Sequence, residues 1–126
     1  MSEEDDPPLA VLVVDDQRPF RAAARALLAT APGMTVVGEA TSGEQAVDLV
    51  LRLRPGLVLM DVWLPGIDGI EATRRILAVA PATVVVLVST HRQADLPGAW
   101  ASCGAVAFVR KEELDVDALG ALAAGR

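Results

Sequence analysis

The stretch Leu57-Val58-Leu59-Met60-Asp61-Val62-Trp63-Leu64-Pro65-Gly66-Ile67-Asp68-Gly69 decides how this chain folds. Four apolar residues run directly into an acid. A short, unbroken apolar run is the pattern of a strand buried on both faces, as in a parallel sheet covered by helices. The acid then sits at the strand's carboxyl end. A loop from Pro65 to Gly69 follows, with Asp68 placed to cap the next helix, and Ile70–Ala80 carries Ile70, Ile76 and Leu77 at helical spacing.

Outward from this segment the same unit recurs. Leu9–Val14 is a second unbroken apolar run, Thr35–Glu39 a short strand, and Thr83–Val88 and Ala105–Val109 complete five. Between them lie helix-period segments. Pro19–Ala31 closes at Pro32-Gly33, and a segment with Ala46, Val50 and Leu53 on one face opens at the capping-box pattern Thr41-Ser42-Gly43-Glu44. The stretch Gln93–Gly104 is weaker because Pro97-Gly98 interrupts it; a short fourth helix is expected to start near Pro97. Asp115–Ala124 is the last helix, with Val116, Leu119 and Leu122 inward. Five strands alternating with five helical segments predict an α/β fold, a doubly wound parallel sheet with helices on both faces.

The chain has 126 residues, 52% of them hydrophobic, and a formal net charge of −6. That is one domain's length, enough for a core without disulfides. The lone cysteine, Cys103, excludes an internal disulfide framework and reads as a small buried hydrophobe. Acidity and 3% aromatic content argue against direct nucleic-acid contact by this chain. No apolar stretch reaches membrane-spanning length, and the acidic start is unlike a signal peptide, so a cytoplasmic protein with no membrane partner is expected. Residues 1–8 read as a disordered acidic tail and 9–124 as the domain; a cation at Glu3–Asp6 is the less favoured reading of that run. Ten of the eleven basic residues are Arg; the exception is Lys111. A lysine so isolated is a candidate for a role that Arg cannot fill.

In such sheets ligands bind beyond the carboxyl ends of the strands. There stand Asp15 and Asp16 after the first strand, Asp61 after the third, Ser89 after the fourth and Lys111 past the fifth. The glycine patterns of dinucleotide and P-loop sites are absent, as are zinc-ligand spacing and a G-x-S-x-G elbow. Three carboxylates crowded together favour a hard divalent cation, which also admits an incoming phosphate. Lys111 adds a compact positive charge and Ser89 a hydroxyl donor. The group reads as a carboxylate nucleophile for phosphoryl transfer with its electrostatic cradle. Taken singly, each Asp is equally well a turn or capping residue, Ser89 a turn residue, His91 an exposed loop histidine and Phe108 plain core.

Val13-Val14-Asp15-Asp16, the stretch from Leu59 to Gly69, Val86-Leu87-Val88-Ser89-Thr90-His91 and Phe108-Val109-Arg110-Lys111 stand in order and at fitting intervals. With these four pieces the chain resembles the receiver domain of bacterial two-component response regulators, across essentially all of residues 9–124. The style of the segment after the fourth strand resembles receivers of helix-turn-helix transcriptional regulators of the NarL/LuxR type. The resemblance implies a flavodoxin-like sheet of strand order 2-1-3-4-5. It implies that Asp61 accepts a phosphoryl group from a sensor histidine kinase and that Asp16, Asp61 and the Trp63 backbone carbonyl ligate Mg²⁺, with Mn²⁺ as a substitute. Asp15 would act through water, and Ser89, Lys111 and Phe108 would form the switch. Trp63, Thr90 and His91 are expected modulators, with bulky Trp63 slowing self-dephosphorylation. A C-terminal output domain or downstream protein, and a homodimer formed on phosphorylation, are the further partners implied. The chain would not be a turnover enzyme. The alternative is a pseudo-receiver, a phosphorylation-independent interaction module.

Overall fold

Each strand of the sheet is an apolar run whose alternate residues feed opposite faces. In chain order the strands are β1 (Leu9–Val14), β2 (Met34–Ala40), β3 (Leu57–Asp61), β4 (Val84–Ser89) and β5 (Ala107–Arg110). The α-helices are α1 (Arg18–Leu28), α2 (Gly43–Leu53), α3 (Gly69–Val79) and α4 (Val116–Ala124). The computed structural model describes residues 7–125. The acidic run Glu3–Asp6 lies outside the described residues.

The sheet has the order β2-β1-β3-β4-β5, and every neighbouring pair is parallel. Leu12, Val14, Val58, Met60, Val85 and Leu87 face α2 and α3, meeting Ala46, Val50, Ile70 and Ile76. Val11, Val13, Leu57, Leu59, Val86 and Val88 face the other way onto Ala24 and Leu28 of α1 and Leu119 of α4. Burial on both faces explains why β1, β3 and β4 are unbroken apolar runs. The β1–β2 pairing slips at Val37, between Val11↔Val36 and Leu12↔Gly38, and leaves that valine on the surface.

Two helix ends differ from the sequence expectation for local reasons. α1 ends at Leu28, because Thr30 and Ala31 donate to carbonyls three residues back and the Thr30 hydroxyl takes the Leu27 carbonyl. The cap of α2 sits one residue further on than the Thr41–Glu44 pattern suggested. Ser42 Oγ accepts from Gln45 N at 3.1 Å, and Gln45 Oε1 accepts from Thr41 N at 2.7 Å. Glu44 is thereby free to reach the loop after β3, where it accepts from Ile67 N at 3.4 Å. Asp68 caps α3 as expected, accepting from Glu71 N at 2.8 Å.

The larger correction concerns the crossover from β4 to β5, where no α-helix forms. Two 3₁₀ turns, Gln93–Asp95 and Gly98–Ser102, carry the chain instead. Pro97 holds an extended backbone (φ −55°, ψ 140°) between them, neither turn has a side-chain cap, and Gly104 turns the chain at φ +103°. Leu96 and Cys103 pin the segment to the core. The Cys103 thiol donates to the Trp100 carbonyl at 3.2 Å, in keeping with a buried structural cysteine.

Candidate functional site

The register of the sheet assembles the strand ends. Val14 pairs with Met60, Asp61 with Val88 and Ser89 with Arg110, so the residues following β1, β3, β4 and β5 emerge along one edge. Oxygens of Asp15, Asp16 and Asp61 all lie within 4.8 Å of one another. Asp15 and Asp61 are buried, and Asp16 is exposed. Lys111 Nζ stands 2.5 Å from Asp15 Oδ2 and 3.7 Å from Asp61 Oδ2.

Local hydrogen bonds fix the two buried carboxylates. Asp15 Oδ1 accepts from Gln17 N at 2.8 Å, and Asp61 Oδ1 from Trp63 N at 3.3 Å. Burial pushes the Asp61 carboxyl up to about 7, and the neighbouring Asp15 charge, with a smaller part from Asp16, pushes the same way; Lys111 and the Trp63 N–H oppose them. The loop that follows permits a close approach. Gly66 adopts φ +74°, and Gly69 packs directly against the Asp61 carbonyl.

The fourth and fifth strands contribute less directly. Ser89 Oγ accepts from His91 N at 3.0 Å and lies 3.2 Å from His91 Nδ1, so the hydroxyl is engaged within its own loop. The His91 ring tilts against Trp63 at 5.3 Å, and both rings are exposed. Thr90 is exposed between them in sequence. Phe108 stands apart from the carboxylates, half-buried, its ring 6.0 Å from Trp100 of the irregular crossover.

Several contributing residues carried no signal in the sequence. Arg21 Nη1 donates to the Asp15 carbonyl at 2.8 Å while its Nε pairs with Glu39 Oε1 at 3.0 Å. Arg25 Nη2 takes the other Glu39 oxygen at 2.9 Å. Hydrogen bonds from Arg25 and then Arg21 hold the Glu39 carboxyl below its usual range. Phe20 lies under the Lys111 ammonium, 4.5 Å from ring centroid to Nζ. In the sequence, Phe20 stands with Ala24, Leu27 and Ala31 at helical spacing, which points to a core-facing residue and nothing more.

The family model of the response regulator receiver domain matches residues 11–123. This chain belongs to that family. The receiver is similar to protein-glutamate methylesterase/protein-glutamine glutaminase 4 of Myxococcus xanthus, at 44% identity over 88% of this chain and 33% of that protein. It is similar to the response regulator GacA of Pseudomonas aeruginosa, at 40% identity over 82% of this chain and 48% of that protein. The receiver therefore spans about a third to a half of the length of these relatives. Among solved structures, a LuxR-family two-component response regulator from an Aurantimonas species superposes with a TM-score of 0.86 at 33% identity, covering 94% of this chain and 87% of that one.

Receiver domains bind Mg²⁺ at an acidic cluster, and the donor set here fits such an ion. It offers hard carboxylate oxygens from three residues at close quarters, one of them exposed to an entering hydrated cation. The upward push on the Asp61 carboxyl is the electrostatic strain that a divalent cation would relieve. No described helix is long and apolar enough to cross a membrane.

Proposed function

We propose that this receiver is a phosphoacceptor switch in which Asp61 takes the phosphoryl group of a sensor histidine kinase. The observation that carries this reading is the placement of Lys111 Nζ between the buried carboxylates of Asp15 and Asp61, at 2.5 and 3.7 Å, beside exposed Asp16. In the transfer, an Asp61 carboxylate oxygen forms a bond to phosphorus as the phosphorus–nitrogen bond to the kinase histidine breaks. The leaving imidazole keeps that electron pair, and Asp61 becomes an acyl phosphate. The chain's part is positioning and charge neutralisation, as is general for phosphoryl transfer.

Asp16, Asp61 and the Trp63 backbone carbonyl hold Mg²⁺ in this reading, with Asp15 acting through water and Mn²⁺ as a substitute. Bound there, the ion neutralises charge between the carboxylates and the incoming phosphoryl oxygens. Lys111 exchanges its partner Asp15 for a phosphoryl oxygen. Ser89 leaves its local bonds to His91 and donates to another. The acyl phosphate carries close to two negative charges where the Asp61 carboxylate carried one. The Ser89 movement and a rearrangement of Phe108 against Trp100 pass the change to the crossover between β4 and β5, from which an output domain, a downstream partner or a second copy of the chain is controlled. Likeness to a LuxR-family regulator supports a transcriptional output.

The test is incubation with acetyl phosphate and Mg²⁺, read by intact mass. Wild type gains one hydroxylamine-labile phosphoryl group, and Asp61→Asn gains none. A wild type that stays unmodified under these conditions points to a phosphorylation-independent interaction module.

A further inference from the structure

α1 starts three residues after Asp15, so its first turn runs behind the carboxylate cluster. Phe20, on that turn, packs its half-buried side chain against the core shared with α4. One face of the ring nevertheless meets the Lys111 ammonium, 4.5 Å from centroid to Nζ. The Lys111 side chain is 11% exposed, so water does little to screen this contact. The ammonium thus has Asp15 Oδ2 at 2.5 Å, Asp61 Oδ2 at 3.7 Å and an aromatic face as its neighbours.

A lysine stem has four rotatable carbons, and an ion pair alone restrains the distance to a partner more than the direction of approach. The ring supplies a second fixed point. Its quadrupole attracts the cation without competing for the ammonium's hydrogens, which stay available to oxygens. We infer that Phe20 is a positioning residue for phosphoryl transfer, holding the Lys111 ammonium over its ring face while the lysine passes from Asp15 to a phosphoryl oxygen on Asp61. This rests on Asp61 being the acceptor. A carboxylate partner could not play this part, because it would bind the lysine in its resting place and repel the incoming phosphoryl group. An aliphatic side chain of similar bulk would fill the core and leave the ammonium unrestrained.

Lys111 is the sole lysine, so lysine-selective isotope labelling gives a single side-chain spin system with no assignment problem. In wild type the ring current of Phe20 displaces the Lys111 ε-methylene protons upfield. Phe20→Leu returns them toward the position of an exposed lysine, and Phe20→Tyr keeps them displaced. In parallel, the rate of phosphorylation by acetyl phosphate with Mg²⁺ falls ~3–10-fold in Phe20→Leu and is restored in Phe20→Tyr. Pentafluorophenylalanine at position 20 keeps the ring's shape and reverses its quadrupole; it lowers the rate as Phe20→Leu does, should that variant fold poorly. An undisplaced wild-type resonance, or equal rates in wild type and the pentafluoro protein, overturns the inference while leaving Asp61 as the acceptor. A wild type that takes no phosphoryl group, with the Lys111 resonance still displaced, overturns the functional reading and the positioning role with it.

Discussion

Gly69 lies against the Asp61 carbonyl so closely that a Cβ at position 69 would collide with that oxygen. The same glycine donates its N–H to the Val62 carbonyl at 2.9 Å, closing the loop that begins at Asp61. α3 therefore starts in contact with β3's last residue, and the Met60 side chain fills the remaining space. Gly69→Ala forces backbone apart at the site itself. The expected cost is about 2–3 kcal/mol of folding stability, read by urea denaturation, together with weaker Mg²⁺ binding. Wild-type stability in this variant would show that the loop yields without strain.

Asp61 makes the metal-free protein sensitive to pH. Its folded-state carboxyl is raised from 3.8 to about 7, chiefly by burial and then by Asp15. A raised acid favours folding while protonated, so its contribution is fully present below the unfolded value and is lost as pH rises through about 7. Metal-free wild type therefore loses stability across that window, by at most about 4 kcal/mol at roughly 1.4 kcal/mol per unit. Asp61→Asn flattens the profile and is the more stable protein on the alkaline side. Thermal or urea midpoints over the range check this, and saturating Mg²⁺ removes the wild-type deficit.

Lys111 and Asp15 form a pair in which the carboxylate is fully buried. Lys111→Met leaves that carboxylate without its cation, at a cost of about 3 kcal/mol. Adding Asp15→Asn removes the orphaned charge, so the double variant is more stable than the sum of the single losses predicts. Additive losses in a double-mutant cycle would refute the coupling.

Trp63 stands at the mouth of the site, 43% exposed, its ring tilted against His91. With Asp61 as the proposed acceptor, this ring is expected to screen the acyl phosphate from water. Trp63→Asn accordingly shortens the lifetime of the phosphorylated form, by about threefold or more, in a phosphate-release time course. Equal decay rates would assign the ring no such role.

The parallel core was legible because burial on both faces leaves no polar alternation: Leu57–Met60 reads as strand wherever it is met. Asp61 was legible because an acid ending such a run has nowhere to stand but the sheet edge. The crossover at residues 93–104 was legible only as weakness. Its apolar anchors, Leu96, Ala99, Trp100 and Cys103, stand at helical spacing, yet Pro97 holds an extended backbone among them and only 3₁₀ turns form. The cap of α2 slid from Thr41 to Ser42 because Gln45 offers the reciprocal bond and Glu44 is drawn to the neighbouring loop.

The amino-acid sequence by itself determined the alternation of strands and helices, the edge on which the carboxylates gather, and the singularity of Lys111. These follow from local periodicity and chain order. Tertiary structure decided which charges meet. Lys111 lies nearer Asp15 than Asp61, Arg21 braces the Asp15 carbonyl from α1, and the Phe20 ring sits under an ammonium ninety-one residues away. Such pairings depend on helix rotation and side-chain direction across the sheet, which no pattern along the chain encodes.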